Sequence, residues 1–210
     1  MVTGMRHTAV LVLGCLLLSA MVACGGGSSS LADEAFNRGV DYSDQGDYEN
    51  AIEAYDEAIR LDPQDAYAYN NRGNAYKYLG KYERAIQDFD EAIRLAPDDA
   101  DAYHNRGNAY ALLDQYERAI EDYDEAIRLN PKYAKAYGHR GYAYGNLGQH
   151  ERAIEDLDEA IRLDPKYAKA YGDAYRWRGK AYEALGNQAQ ADADYAKWRS
   201  SPKYKELVGE

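Results

Sequence analysis

From Ala32 onward, apolar and small residues recur at helical spacing, and the whole pattern then returns every 34 residues. Pro63, Pro97, Pro131 and Pro165 mark that period. Between them one line is rewritten three times: DAYAYNNRGNAYKYLGKYERAIQDFDEAIRLAP, DADAYHNRGNAYALLDQYERAIEDYDEAIRLNP and YAKAYGHRGYAYGNLGQHERAIEDLDEAIRLDP. Within the second copy, Tyr69, Gly73 and Tyr76 stand at i, i+4 and i+7, one face of a helix. Gly80 stops that helix, and the pattern restarts with Tyr82, Ala85, Phe89 and Ala92 until Pro97 closes it. Each copy is therefore a helix–turn–helix whose apolar faces are covered only when copies stack.

The spacing predicts an all-α solenoid of five copies: 32–65, 66–99, 100–133, 134–167 and 168–199. The first is diverged. In the fifth, Gly179 comes four residues late because AYGDAY (170–175) partly duplicates, which predicts a first helix longer at its start. Its second helix, NQAQADADYAKWRSS, is polar, as a terminal copy requires. Residues 200–210 form a short capping segment, with Tyr204 and Leu207 expected to dock back.

Gly39, Gly73, Gly107, Gly141 and Gly179 sit mid-helix, where each costs about 1 kcal/mol relative to Ala. Such repeated cost implies a close helix approach, and Ala51, Ala85, Ala119, Ala153 and Ala191 are expected opposite. The acidic strings of the second helices, such as EDYDEAIRLNP, fall between the apolar positions. They read as a solvated face with i,i+4 pairs.

Composition sharpens this picture in two ways. The chain holds 22 Tyr against two Phe and two Trp, the mark of one unit copied. Its net charge of −11, with no basic cluster, sets it against nucleic acid as a partner. No catalytic constellation is present. There is no Gly-rich phosphate loop, HExxH or calcium-loop spacing, and His104, His139 and His150 are scattered through the copies. The chain is expected to be no enzyme, with no cofactor and no metal.

The N-terminus reads differently. Arg6 and His7 precede AVLVLGCLLLSAMV (9–22), too short to cross a bilayer and typical of a secretory signal. Met21-Val22-Ala23-Cys24 resembles the lipobox of bacterial lipoproteins. The resemblance implies cleavage of residues 1–23 and lipid attachment at Cys24. Residues 24–31, with GGGSSS, make a flexible tether. Gly25 after the cysteine implies the outer membrane in a two-membrane cell, with the chain exported to the periplasmic or extracellular face.

The 34-residue period, the mid-helix Gly and the Tyr, Ala, aromatic, Ala and Pro positions resemble tetratricopeptide repeats over about 32–198. Arg38, Arg72, Arg106, Arg140 and Arg178 depart from the family's usual Leu, Asp114 replaces a turn Gly, and His150 and Leu157 replace aromatics. The resemblance implies a right-handed superhelix whose first helices line a concave, peptide-binding groove. Some members hold a C-terminal carboxylate there with two Asn, two Lys and one Arg. Asn70, Asn74, Asn105, Lys135 and His139 occupy those positions, so three match and two cations are missing.

Asn also recurs mid-helix at Asn37, Asn71, Asn105, Asn74 and Asn108, a poor helix residue whose amide suits a peptide backbone. These amides either face a ligand or bridge neighbouring copies. With Tyr67 and Tyr78, the candidate groove comprises Tyr67, Asn70, Asn71, Asn74, Tyr78, Asn105, Asn108, Lys135 and His139. Tyr142 is equally open. The resulting expectation is a non-catalytic, lipid-tethered scaffold for protein or peptide partners of the cell envelope. Self-association as a structural envelope component is the alternative, and the oligomeric state is open.

Overall fold

The computed structural model describes residues 18–166 and 173–209, with side chains from residue 31 onward. Helices follow one another in pairs: α1 (Leu18–Asp44) and α2 (Tyr48–Leu61); α3 (Ala66–Tyr78) and α4 (Tyr82–Leu95); α5 (Ala100–Leu112) and α6 (Tyr116–Leu129); α7 (Ala134–Asn146) and α8 (His150–Leu163); α9 (Asp173–Ala184) and α10 (Gln188–Arg199). A short α11 (Pro202–Val208) follows. Each described helix packs only on helices one or two places away along the chain, as a solenoid requires.

Asp65 and Asp99 start α3 and α5 by accepting from backbone N–H groups at Tyr67 (2.9 Å) and Asp101 (2.9 Å). The pairs turn on left-handed residues, Gly80 (φ +72°) and Gly148 (φ +73°) among them. Asp114 takes this conformation without being glycine (φ 57°), and its carboxylate accepts from the Tyr116 hydroxyl at 2.7 Å.

The core is built from alanines and one large residue per copy. Ala51, Ala85, Ala119, Ala153 and Ala191 are buried, as are Tyr55, Phe89, Tyr123 and Leu157. The large residue, more than the alanine, explains the mid-helix glycines. A Cβ on Gly39, Gly73 or Gly107 would lie 2.5–2.7 Å from the ring of Tyr55, Phe89 or Tyr123. On Gly141 it would meet Leu157 Cγ at 2.8 Å, and on Gly179 the Tyr195 ring at 2.9 Å. The alanines contribute backbone contacts, such as the Ala119 carbonyl 3.2 Å from the same point on Gly107.

The acidic face needs correction, because one aspartate of each later copy is neither solvated nor paired at i,i+4. Asp88, Asp122, Asp156 and Asp194 are buried, and each receives a bidentate guanidinium from the arginine on the preceding helix. The same arginines reach back one copy. Arg72 donates to Asp56 at 2.6 Å, Arg106 to Asp90 at 2.6 Å and Arg140 to Asp124 at 2.5 Å, while Arg178 pairs with Asp158. Four of the five arginines that depart from the family's Leu, all but Arg38, thus build a ladder joining consecutive copies.

Burial raises the pKa of Asp88, Asp122 and Asp156 more than the guanidinium lowers it. For the arginines, burial works downward, but their two carboxylates outweigh it and the pKa rises. The desolvation cost therefore falls on the deeper aspartate. The truly solvated pairs are i,i+3, such as Glu91–Arg94 and Glu125–Arg128.

At the C-terminal end Tyr204 packs edge-on against Trp198 (4.8 Å, 68°), whereas Leu207 stays 70% exposed instead of docking. The lengthened start expected for the fifth copy falls on 167–172, outside the described residues. So does most of the signal segment, and nothing bears on the Cys24 side chain. The backbone of the expected tether, 25–30, lies within α1; its three Gly and three Ser make it that helix's weakest stretch by propensity.

Candidate functional site

The first helices α3, α5, α7 and α9 stand side by side, so residues one copy apart become neighbours across the array. The columns through Asn71 and Asn74 read Asn71, Asn105, His139, Trp177 and Asn74, Asn108, Tyr142, Lys180. Two adjoining cavities open along this surface. One, of about 450 Å³, is polar and bounded by Asn71, Asn74, Lys77, Asn105, Asn108 and Lys135, with the Tyr48–Tyr78 stack (4.7 Å) at one end. The other, of about 370 Å³, is apolar, with Ala111, Leu112, Tyr123, Tyr142 and Trp177 in its walls. Lys77, Asn108 and His139 belong to both.

The floor is a hydrogen-bonded chain. His104 and His139 lie 35 residues apart, one more than the period, which stacks their rings (5.0 Å, 12°) on adjacent helices. His104 Nε2 and His139 Nδ1 are 2.9 Å apart. The Tyr133 hydroxyl donates to Asp101, so at 3.2 Å from His104 Nδ1 its oxygen acts as acceptor. Donation then runs one way, from His139 Nδ1–H to His104 Nε2 and from His104 Nδ1–H to Tyr133. The chain needs His104 neutral, because its Nε2 must accept, whereas His139 only donates in it. Burial supplies that condition, holding His139 at about 4 and His104 well below its ordinary value, with Lys77 and Lys135 adding repulsion.

Of the candidate residues, the structure gathers Asn71, Asn74, Tyr78, Asn105, Asn108, Lys135 and His139 along the polar cavity. Asn70 is instead buried, and its Oδ1 accepts from Asn105 Nδ2 at 3.1 Å, a bridge between copies two and three. Tyr67 is 68% exposed and lines neither cavity. Tyr142, left open by the sequence, forms the apolar wall with Trp177 (5.0 Å). Lys77, His104, Leu112 and Trp177 were missed. The signal for Trp177 was present in the first of the columns above, where the copies disagree while the mid-helix glycines do not.

Lys77 is the charge at the junction. Its Nζ donates to Asn74 Oδ1 at 2.8 Å and stands 5.5 Å from the Tyr78 ring centre. Burial in the groove floor lowers its pKa to about 8. Among the described residues, no group of three or more His, Cys, Asp or Glu could hold a metal ion, and no helix is long and apolar enough to cross a membrane.

Models of the tetratricopeptide repeat match residues 39–80 and 73–114, and again 100–133 and 134–167. The chain belongs to the tetratricopeptide-repeat family. Similar solved members include the MamA protein, 28% identical with a TM-score of 0.69 over 84% of this chain and 94% of that one. YrrB, described as a tetratricopeptide-repeat protein with an unusual peptide-binding site, is 25% identical with a TM-score of 0.63 over 79% and 83%. The first tetratricopeptide-repeat domain of Spaghetti (RPAP3), bound to the HSP90 peptide SRMEEVD, is 30% identical with a TM-score of 0.56 over 57% and 95%. No curated protein sequence matches significantly.

Proposed function

We propose that this tetratricopeptide-repeat chain is a non-catalytic adaptor that holds extended segments of partner proteins in the groove of its first helices. The observation that carries the reading is the pair of adjoining cavities along α3, α5, α7 and α9, one lined by amides and one by rings. Amides satisfy a peptide backbone and rings accept side chains, the division of labour an extended ligand needs. The relatives support it: YrrB has a peptide-binding site, and the Spaghetti domain holds a peptide.

The adaptor works from a membrane surface, anchored by a lipid on Cys24 and tethered through GGGSSS, on the exported side of an envelope and, given Gly25, at the outer membrane of a two-membrane cell. One acyl chain binds a bilayer only marginally, so the several chains of a lipoprotein anchor are what make attachment firm.

A photo-crosslinking residue at Asn74 or Leu112 should capture partners in native membranes, and one at Arg128, on an exposed second helix, should not. Equal capture from both positions would overturn the groove. Incorporation of a labelled fatty acid into the wild type and its loss in Cys24→Ala tests the anchor, and an unlabelled wild type sinks it.

A further inference from the structure

The groove is divided chemically, and the division narrows its ligand. We propose that its occupant is an extended, internal peptide segment in which an Asp or Glu side chain meets Lys77 while a bulky apolar side chain nearby fills the Leu112–Tyr142–Trp177 cavity. This deepens the peptide-binding reading above and rests on it.

Charge complementarity is the first argument. The chain carries −11 overall, and its ladder arginines Arg72, Arg106, Arg140 and Arg178 each hold two aspartates. Lys77 differs. Its hydrogen bond goes to a neutral amide, and among the described residues no carboxylate lies within 4.0 Å of its Nζ. A pKa lowered to about 8 by burial describes an ammonium deprived of water and not repaid by a counter-ion. The other charges bordering the polar cavity are Asp44 and Lys135, and His104 and His139 are neutral. Asn74 Oδ1 accepts from Lys77, so its Nδ2 is the donor that amide can offer a ligand.

Position supplies the second argument. Lys77 borders both cavities, so it sits along the groove and not at its end. A ligand chain has room on either side, towards Tyr48–Tyr78 and towards Trp177. A side-chain carboxylate fits that place, whereas a chain terminus would leave one cavity empty. Of the three positions where other family members hold a terminal carboxylate by cations, two carry buried Asn70 and neutral His139 here and only Lys135 is kept.

The test uses the full chain and a panel of fluorescent ten-residue peptides, acetylated and amidated. Each carries one Asp or Glu and one Trp, Phe or Leu at a spacing of one to five residues, and anisotropy gives affinity. The best acidic peptide should bind roughly tenfold or more tighter than its Asn or Gln counterpart. Lys77→Met should erase that difference, and Lys77→Arg should keep it. Trp177→Ala should weaken both peptides alike.

Equal binding of acidic and amide peptides by the wild type overturns this inference and leaves the peptide groove standing. No binding by any peptide overturns the groove itself. Tight binding only when the peptide ends in a free carboxylate overturns the internal-segment reading. A dimer in sedimentation that Trp177→Ala dissolves also overturns it, because a second copy then fills the groove.

Discussion

Removing either partner of the Arg106–Asp122 pair should destabilise the protein unequally, and the inequality tests whether the ladder is understood. Asp122 is 5% exposed and receives two N–H bonds from Arg106 at 2.9 and 2.6 Å, while Arg106 also holds the exposed Asp90 at 2.6 Å. Leaving a buried ion without its partner costs about 3–5 kcal/mol. Arg106→Leu does that to Asp122, whose carboxyl has no second cation among the described residues, so about 3 kcal/mol is expected. Asp122→Ala leaves Arg106 with Asp90 and a route to water.

The first copy shows where that route leads. There Ala54 stands in place of the buried aspartate and Arg38 is exposed. The expected loss for Asp122→Ala is accordingly nearer 1–2 kcal/mol, a lost charge-assisted hydrogen bond and a small void. The double variant Arg106→Leu/Asp122→Ala, with no orphaned buried ion, should recover most of the larger loss. Urea unfolding followed by helical circular dichroism at pH 7 measures all three. Equal losses for the single variants, or an Arg106→Leu protein as stable as wild type, would refute the account of who bears the desolvation.

Three further outcomes follow from the same geometry. Gly107→Leu should cost at least about 3 kcal/mol and lower the melting temperature by many degrees, because its Cβ alone would lie 2.7 Å from the Tyr123 ring. Combined with Tyr123→Ala, the loss should fall short of the sum of the two single changes. Asp114→Ala keeps φ near 57° without the hydrogen bond to Tyr116 and should cost about 1 kcal/mol, while Asp114→Gly, the residue of other copies, should melt at or above wild type. His139 is neutral when folded down to about pH 4 but takes a proton near 6.5 when unfolded. Its contribution is therefore complete above about pH 6.5 and declines towards pH 4, by about 2 kcal/mol at pH 5. Asp88, Asp122 and Asp156, raised by burial, act in the opposite direction, so the comparison is with His139→Asn, whose melting temperature should fall less between pH 7 and 5.

The fold was legible because identical physics is written into every copy. Period, turn glycines and alternating small and large positions can each be counted along the chain. The partner of the mid-helix glycine was less accessible, since period alone does not say whether Ala119 or Tyr123 lies over Gly107. The acidic face was misjudged for a related reason. Asp88 and Asp90 are two residues apart, so they point to different sides of one helix, one into Arg72 of its own copy and one towards Arg106 of the next. Only a three-dimensional stack reveals that an arginine in place of the usual leucine needs both.

The groove obeys a different logic from the scaffold. A strictly repeated surface offers the same contact at every step and lets a ligand slide by one copy; a surface with a fixed register must vary where it touches the ligand. The core columns do not vary in kind: Gly73, Gly107, Gly141 and Gly179 are all glycine. The groove columns do, passing from Asn71 and Asn105 to His139 and Trp177, and from Lys77 to Ala111, Gly145 and Glu183. That drift from amide to ring, with Lys77 near its start, gives the surface direction. A ligand placed with its acid on Lys77 and its apolar side chain at Trp177 loses its cation if shifted one copy towards the C-terminus, where Ala111 stands, and meets His139 in place of Trp177 if shifted one copy the other way. The positions at which this chain departs from its own repeat are therefore where its specificity is to be sought.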